Sequence, residues 1–224
     1  MPSYRSAMSD LGGGIGPAIA IGLLLVVMLW FTFGTQRNVR KGNELLAWLE
    51  MGLPLLGRRT TLRWLGSSAV ELTIADAVDP VRAASVVVVL EPRDVGLLWA
   101  IARSRGRRDF LIFRLDLRRP PRFTADVGNE VGWTGRLGTP DDPSWRRVTW
   151  PHAVVAHLGP DADEAWVRDA WHRLEGLSGG LWRLTVQPVV PHLEVHARPP
   201  DTASVSADRF IGTLVDLARG LAAR

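Results

Sequence analysis

Residues 11–33, LGGGIGPAIAIGLLLVVMLWFTF, form one unbroken uncharged run. A helix of this length rises roughly 34 Å, against a bilayer hydrocarbon core of roughly 30 Å. Amides inside hydrocarbon must bond one another, and a helix achieves that alone, so the run predicts a transmembrane helix. The chain then divides into a short tail (1–10), the span (11–33), a juxtamembrane amphipathic helix and linker (34–57) and a soluble domain (58–224). A cleaved export signal would have an apolar core of about 7–15 residues followed by a small-x-small site. Here the run is longer and ends in Trp30, Phe31, Thr32 and Phe33, so an uncleaved anchor is expected. Those aromatic rings suit the headgroup layer.

Basic residues set the expected orientation. Only Arg5 and the α-amino group precede the run, whereas Arg37, Arg40 and Lys41 follow it closely, with Arg58, Arg59 and Arg63 beyond. The positive-inside rule then puts the N-terminus outside and the C-terminal domain in the cytoplasm of a single-pass cell-membrane protein. Gly12, Gly16 and Ala20 place small residues at i, i+4 along the first half of the span, a face on which two such helices could meet as a homodimer.

Composition limits the classes available to the remainder. Of 224 residues, 46% are hydrophobic and 22% charged, enough for a genuine core. Cysteine is absent, which excludes disulfide frameworks and thiolate chemistry. The formal charge is +4, and Lys41 is the single lysine, so the cations are almost all arginine. Arginine suits bidentate contact with phosphate or carboxylate. Arg37, Arg40, Lys41, Arg103, Arg105, Arg107 and Arg108 are therefore the candidate lipid- or partner-contacting residues. The run from Arg103 to Arg122 lacks aromatics interleaved on one face, which disfavours a nucleic-acid groove.

Periodicity organises the soluble part. Residues 38–51 carry Leu45, Trp48 and Leu49 on one helical stripe that ends near Pro54, a helix for the headgroups or for the domain. Residues 60–65 and 69–75 flank Gly66-Ser67-Ser68 as a hairpin. Residues 84–90, ASVVVVL, read as a central strand covered on both faces. A helix from Pro92 to Ser104 follows, with Val95, Leu98, Ile101 and Ala102 as its core stripe. Residues 108–117 return as a strand with Leu111, Phe113, Leu115 and Leu117 inward. That order suggests a βαβ unit. Residues 123–127 are expected at a sheet edge, and 128–145 form a long Gly- and Pro-rich loop. A second unit comprises a strand over 148–158, a helix capped by Asp161, and strands over 181–187 and 192–197. A C-terminal helix starts near Ser206. The expected fold is α+β, a two-layer α/β sandwich with two βαβ-like units and a C-terminal helix.

No catalytic, cofactor-binding or metal-ligating set emerges. His192, Glu194 and His196 share a strand face, but at 3.3 Å per residue the two histidines lie roughly 13 Å apart, too far for one ion. His152, His157 and His172 lack a nucleophile turn such as G-x-S-x-G. Gly12 to Gly16 resembles a phosphate loop only superficially, having no preceding strand and no following Lys-Ser/Thr pair. Trp133, Trp145, Trp150 and Trp182 offer a possible aromatic patch for a partner. The expected function is a membrane-anchored, non-catalytic interaction or assembly module, with the bilayer and a protein partner as its contacts. The alternatives are a membrane-tethered, hydrolase-like enzyme built from separated loops and an anionic-lipid surface-binding module.

Overall fold

The computed structural model describes residues 16–138 and 143–224, and the course of the first helix from Ser6. That helix, α1 (Ser6–Gly52), runs for 47 residues without interruption, straight through Pro17. It ends in a 3₁₀ turn, Leu53–Leu55, where Pro54 can donate no further amide. Among the described residues it is the one helix long and apolar enough to cross a membrane. Residues 16–33 are exposed along their whole length, whereas Leu45, Trp48 and Leu49 are buried in the domain core. The stripe on residues 38–51 therefore packs on the domain, and it belongs to the same helix as the apolar run.

Among the described residues nine strands form one sheet: β1 (Gly57–Trp64), β2 (Ala69–Ala77), β3 (Val81–Val89), β4 (Phe110–Leu117), β5 (Ala125–Asn129), β6 (Arg146–Trp150), β7 (Val154–Leu158), β8 (Leu181–Val186) and β9 (Leu193–Ala197). Their spatial order is β1-β2-β3-β4-β9-β8-β5-β7-β6, and every neighbouring pair is antiparallel. The described residues form three more helices: α2 (Gly96–Ser104), α3 (Glu164–Glu175) and α4 (Ala207–Ala222). The α+β class is thus observed, with a different internal layout from the expected one.

The first expected βαβ unit is corrected to an antiparallel pair. Val89 at the end of β3 faces Phe110 at the start of β4, so the two strands form a hairpin from which residues 90–109 make a long excursion. Parallel neighbours would have needed the helix to cross the sheet. The second unit does cross over. β7 and β8 run parallel to each other, but β5 lies between them and pairs with both. β5 is therefore interior, not an edge. The segment 148–158 is a hairpin and not one strand: it reverses at Pro151, His152 and Ala153, the last two with φ of 63° and 58°.

Strand parity sorts the side chains. Leu111, Phe113, Leu115 and Leu117 are buried, as expected, and Phe113 meets Phe210 of α4 at 5.1 Å between ring centres. β3 buries Val81, Ala84, Val86 and Val88 but leaves Ser85 and Val87 half-buried, so only one of its faces is fully covered. The stripe Val167, Ala170, Trp171 and Leu174 of α3 is buried as expected, although Asp163, and not Asp161, caps the helix by accepting from the Trp166 amide. Phe210, Ile211, Leu214, Leu217, Ala218 and Leu221 of α4 are all buried. At about 25 cal/mol per Å² of apolar area removed from water, these shared faces are the main favourable term holding sheet and helices together.

Candidate functional site

The excursion between β3 and β4 does not fold back on the sheet. It runs alongside α1, touching it once per helical turn. The Asn38 side-chain amide donates to the Glu91 carbonyl at 3.0 Å. One turn nearer the N-terminus, Gly34 lies against the backbone of Arg93, where a Cβ would stand 2.1 Å from the carbonyl oxygen. One further turn along, the Trp30 indole donates to the same carbonyl at 3.1 Å and packs on Gly96. Trp30 and Trp99 then meet with ring centres 6.3 Å apart. The two glycines permit this approach because neither presents a side chain to the opposing backbone or ring.

A buried polar cluster pins the excursion at its base. Arg93 makes a bidentate pair with Asp109, at 3.0 and 2.9 Å, and donates to the Asn38 side-chain oxygen at 3.1 Å. Asp109 also accepts from the Glu91 amide at 2.8 Å. The Glu91 carboxylate is 2% exposed and is satisfied by Trp99 Nε1 at 2.6 Å and Arg103 Nη1 at 3.1 Å. A charge this deeply buried is tolerable only because its lone pairs are met by cations and donors. Sequence reasoning missed Asn38, Glu91, Arg93 and Asp109. The available signal was an acid directly after the apolar β3 run, a position at which solvation would otherwise be lost.

The seven basic candidates have different fates. Arg40 and Lys41 both pair with Glu44 at 3.3 Å, and these cations hold its carboxyl below the usual carboxylate range. Arg103 is committed to Glu91. Arg108 donates to the Arg103 and Arg107 carbonyls, closing the C-terminus of α2. Arg107 lies over the Trp133 ring and leaves its buried Nε without a partner. Arg37 and Arg105 make no ion pair among the described residues. The fold does bring part of the set together. Arg37 and Arg103 line one groove of about 700 Å³ with Val26, Leu29, Trp30, Phe33 and Trp99. Arg37, Arg40 and Lys41 border an adjoining groove of about 840 Å³.

The expected core stripe of α2 is corrected. Only Ala102 is buried, while Val95, Leu98 and Ile101 are exposed together with Leu97, at 76% the most exposed of them. On α1, Gly16 has open space around it and Ala20 is exposed, so both lie on a free face. Gly12 lies outside the residues described side chain by side chain. Of the expected aromatic patch, Trp150 and Trp182 are buried, with Trp182 packed on Phe110, while Trp133 is exposed. Part of the loop that carries Trp145, residues 139–142, is outside the described residues.

The sheet face turned away from α4 carries a second polar arrangement. Register places Thr61, Thr73, Ser85, Arg114, Glu194, Thr185, Asp126, His157 and Arg147 in a single row across all nine strands. Its charges are largely answered locally. Arg183 grips Asp126 at 2.9 and 2.6 Å, and Glu194 accepts from Arg114 at 2.7 Å and pairs with His196 Nε2 at 2.8 Å. Hydrogen bonding from His196, then from Arg114, lowers the Glu194 carboxyl to about 2 against its burial. Burial, then repulsion from Arg147, pushes His157 down. His192 is not in the row: its Nδ1 accepts from the Leu117 amide at 2.8 Å before β9 begins. The chain matches no known protein-family model, and no curated protein is significantly similar to it.

Proposed function

We propose that the chain is a single-pass membrane protein whose α+β domain serves as a non-catalytic interaction or assembly module, held rigidly at the membrane surface. The observation that carries this reading is the continuity of α1. One helix passes from an exposed apolar segment to Leu45, Trp48 and Leu49 in the domain core, without a linker. A domain built around the end of its anchor keeps a set distance and orientation, which suits presentation of a surface to a partner. The grouping of α3 and α4 against inward strand residues, with a polar row on the opposite parity, supports a two-layer sandwich. On that sheet face Arg183 is engaged with Asp126, and Glu194 with Arg114 and His196, an arrangement of structural pairing and not of a poised nucleophile and base. The basic residues that follow the span favour a cytoplasmic domain.

The test is extraction of the intact chain from membranes in mild detergent, followed by native mass spectrometry. A defined complex with another protein, or a homodimer, is the expected species. A homodimer that disappears in Gly16→Leu would locate the contact on the small-residue face of α1. Recovery as a bare monomer would overturn the assembly reading. Full release by salt washing without detergent would overturn the anchor itself.

A further inference from the structure

We propose that α2 is a second membrane contact. It lies in the interfacial layer of the leaflet where the span ends, with Leu97, Leu98 and Ile101 among the acyl chains. This inference rests on reading α1 as the span, and the depth of α2 follows from its contacts with α1. The excursion meets α1 at Asn38, Gly34 and Trp30, so it descends about 12 Å along the helix axis toward the apolar segment. Trp30 stands about 10 Å on the apolar side of Arg37, the first cation after the run. Gly96, the first residue of α2, packs on the Trp30 indole. If residues 16–33 are in lipid, α2 begins at the level of Trp30, inside the interfacial layer.

The side chains fit that position. Leu97, Leu98 and Ile101 share one face at i, i+3 and i+4 spacing, and all three are exposed. Trp99 and Ala102 turn the other way, toward Glu91 and the domain. An exposed apolar stripe would be costly in water, yet this one begins beside Gly96, which packs on Trp30 of the similarly exposed apolar segment of α1. From Trp99 onward the amides of α2 are bonded within the helix, and the three before it lie at its start beside Trp30, at the interfacial level where water still reaches them. The charges suit the phosphate layer. Arg37 has no acidic partner among the described residues, Arg103 borders the same groove, and Arg105 follows the end of α2. A short amphipathic helix with an apolar face and flanking arginines is the form that settles in the plane of an anionic interface.

The absence of cysteine makes the test direct. Single variants Leu97→Cys, Leu25→Cys and Asp161→Cys of the full chain are spin-labelled and reconstituted in vesicles of phosphatidylcholine and phosphatidylglycerol. Collision rates are read with oxygen and with a water-soluble nickel chelate. The expected result is nickel accessibility at 97 at least fivefold below that at 161, with high oxygen accessibility at both 97 and 25. An aqueous label at 97 with a lipid-exposed label at 25 overturns the inference and leaves the anchor standing. Aqueous labels at both sites overturn the anchor reading and the inference with it. A label at 97 shielded from both reagents means that a protein surface covers α2, which also overturns the inference. All three sites are exposed, and an unchanged near-ultraviolet circular dichroism spectrum verifies the fold of each variant.

Discussion

Helices α2 and α3 make an instructive pair. Both connect strands, and both carry an apolar stripe at i, i+3 and i+4. In α3 that stripe is buried to the last residue, with Trp171 at 1% exposure. In α2 it faces outward, and only Ala102 is covered. The difference lies in what precedes each helix. α3 follows a short turn from β7 and lands on the sheet and α4. The segment before α2 is drawn away from the sheet by Asn38, Gly34 and Trp30 of α1, and the buried Glu91–Arg93–Asp109 cluster holds it there. An amphipathic pattern states that a helix has an apolar face. It does not state what that face meets.

The largest effect expected from this contrast comes from cutting into each stripe. Trp171→Ala should cost about 3–5 kcal/mol of unfolding free energy, because a filled site in a packed core becomes a cavity. Leu98→Ser should change it by no more than about 0.5 kcal/mol, since no protein packing is lost. Denaturant titration of the detergent-solubilised chain measures both, and equal costs would erase the distinction. Next, Arg93→Ala should cost about 3 kcal/mol, because it removes the bidentate partner of half-buried Asp109 and one of two cations beside buried Glu91. Hydrogen exchange should then quicken over residues 91–104 and stay slow over 164–175.

Acid titration offers a reference that touches neither helix. The Glu194 carboxyl is held at about 2 in the folded chain against an ordinary 4.5. Its contribution is therefore complete above about pH 4.5 and is lost as pH falls toward 2. At 1.36 kcal/mol per unit this is at most roughly 3 kcal/mol, reduced by the partial exposure of the side chain. Glu194→Gln should flatten that part of the stability profile, and it should do so equally in the Leu98→Ser background. The smallest effect separates the two helix starts. Asp163→Ala should cost about 1 kcal/mol by removing the α3 cap, whereas Val95 makes no side-chain cap bond, so Val95→Ala should cost a few tenths. Thermal unfolding resolves the first and bounds the second.

The legible parts of the fold were those governed by local pattern. Alternation along 111–117 identified the buried face of β4, and the stripes of α3 and α4 identified theirs, because side-chain direction follows from element type alone. Gly66-Ser67-Ser68 marked its hairpin because Gly and Ser favour a turn between two β-prone segments, and Gly66 takes a positive φ there. The β3–β4 connection was misread because a strand, a helix and a strand in sequence resemble a crossover whichever way the helix turns. The cluster beside α1 was half legible. Arg37 and Arg103 stood out as cations, yet their sorting into an unpaired residue and a partner of buried Glu91 depends on groups many residues away.

From the order of residues alone came the long apolar helix and the α+β class, since hydrocarbon length and alternating burial are properties of contiguous segments. The tertiary structure alone decided that the apolar segment and the domain share one helix, that the sheet is antiparallel throughout, and that α2 turns its apolar face away from the protein. Those outcomes rest on strand pairing and on a buried polar clasp between positions more than fifty residues apart, such as Asn38 and Glu91. Contacts of that range follow from the whole chain closing on itself, and no local periodicity encodes them.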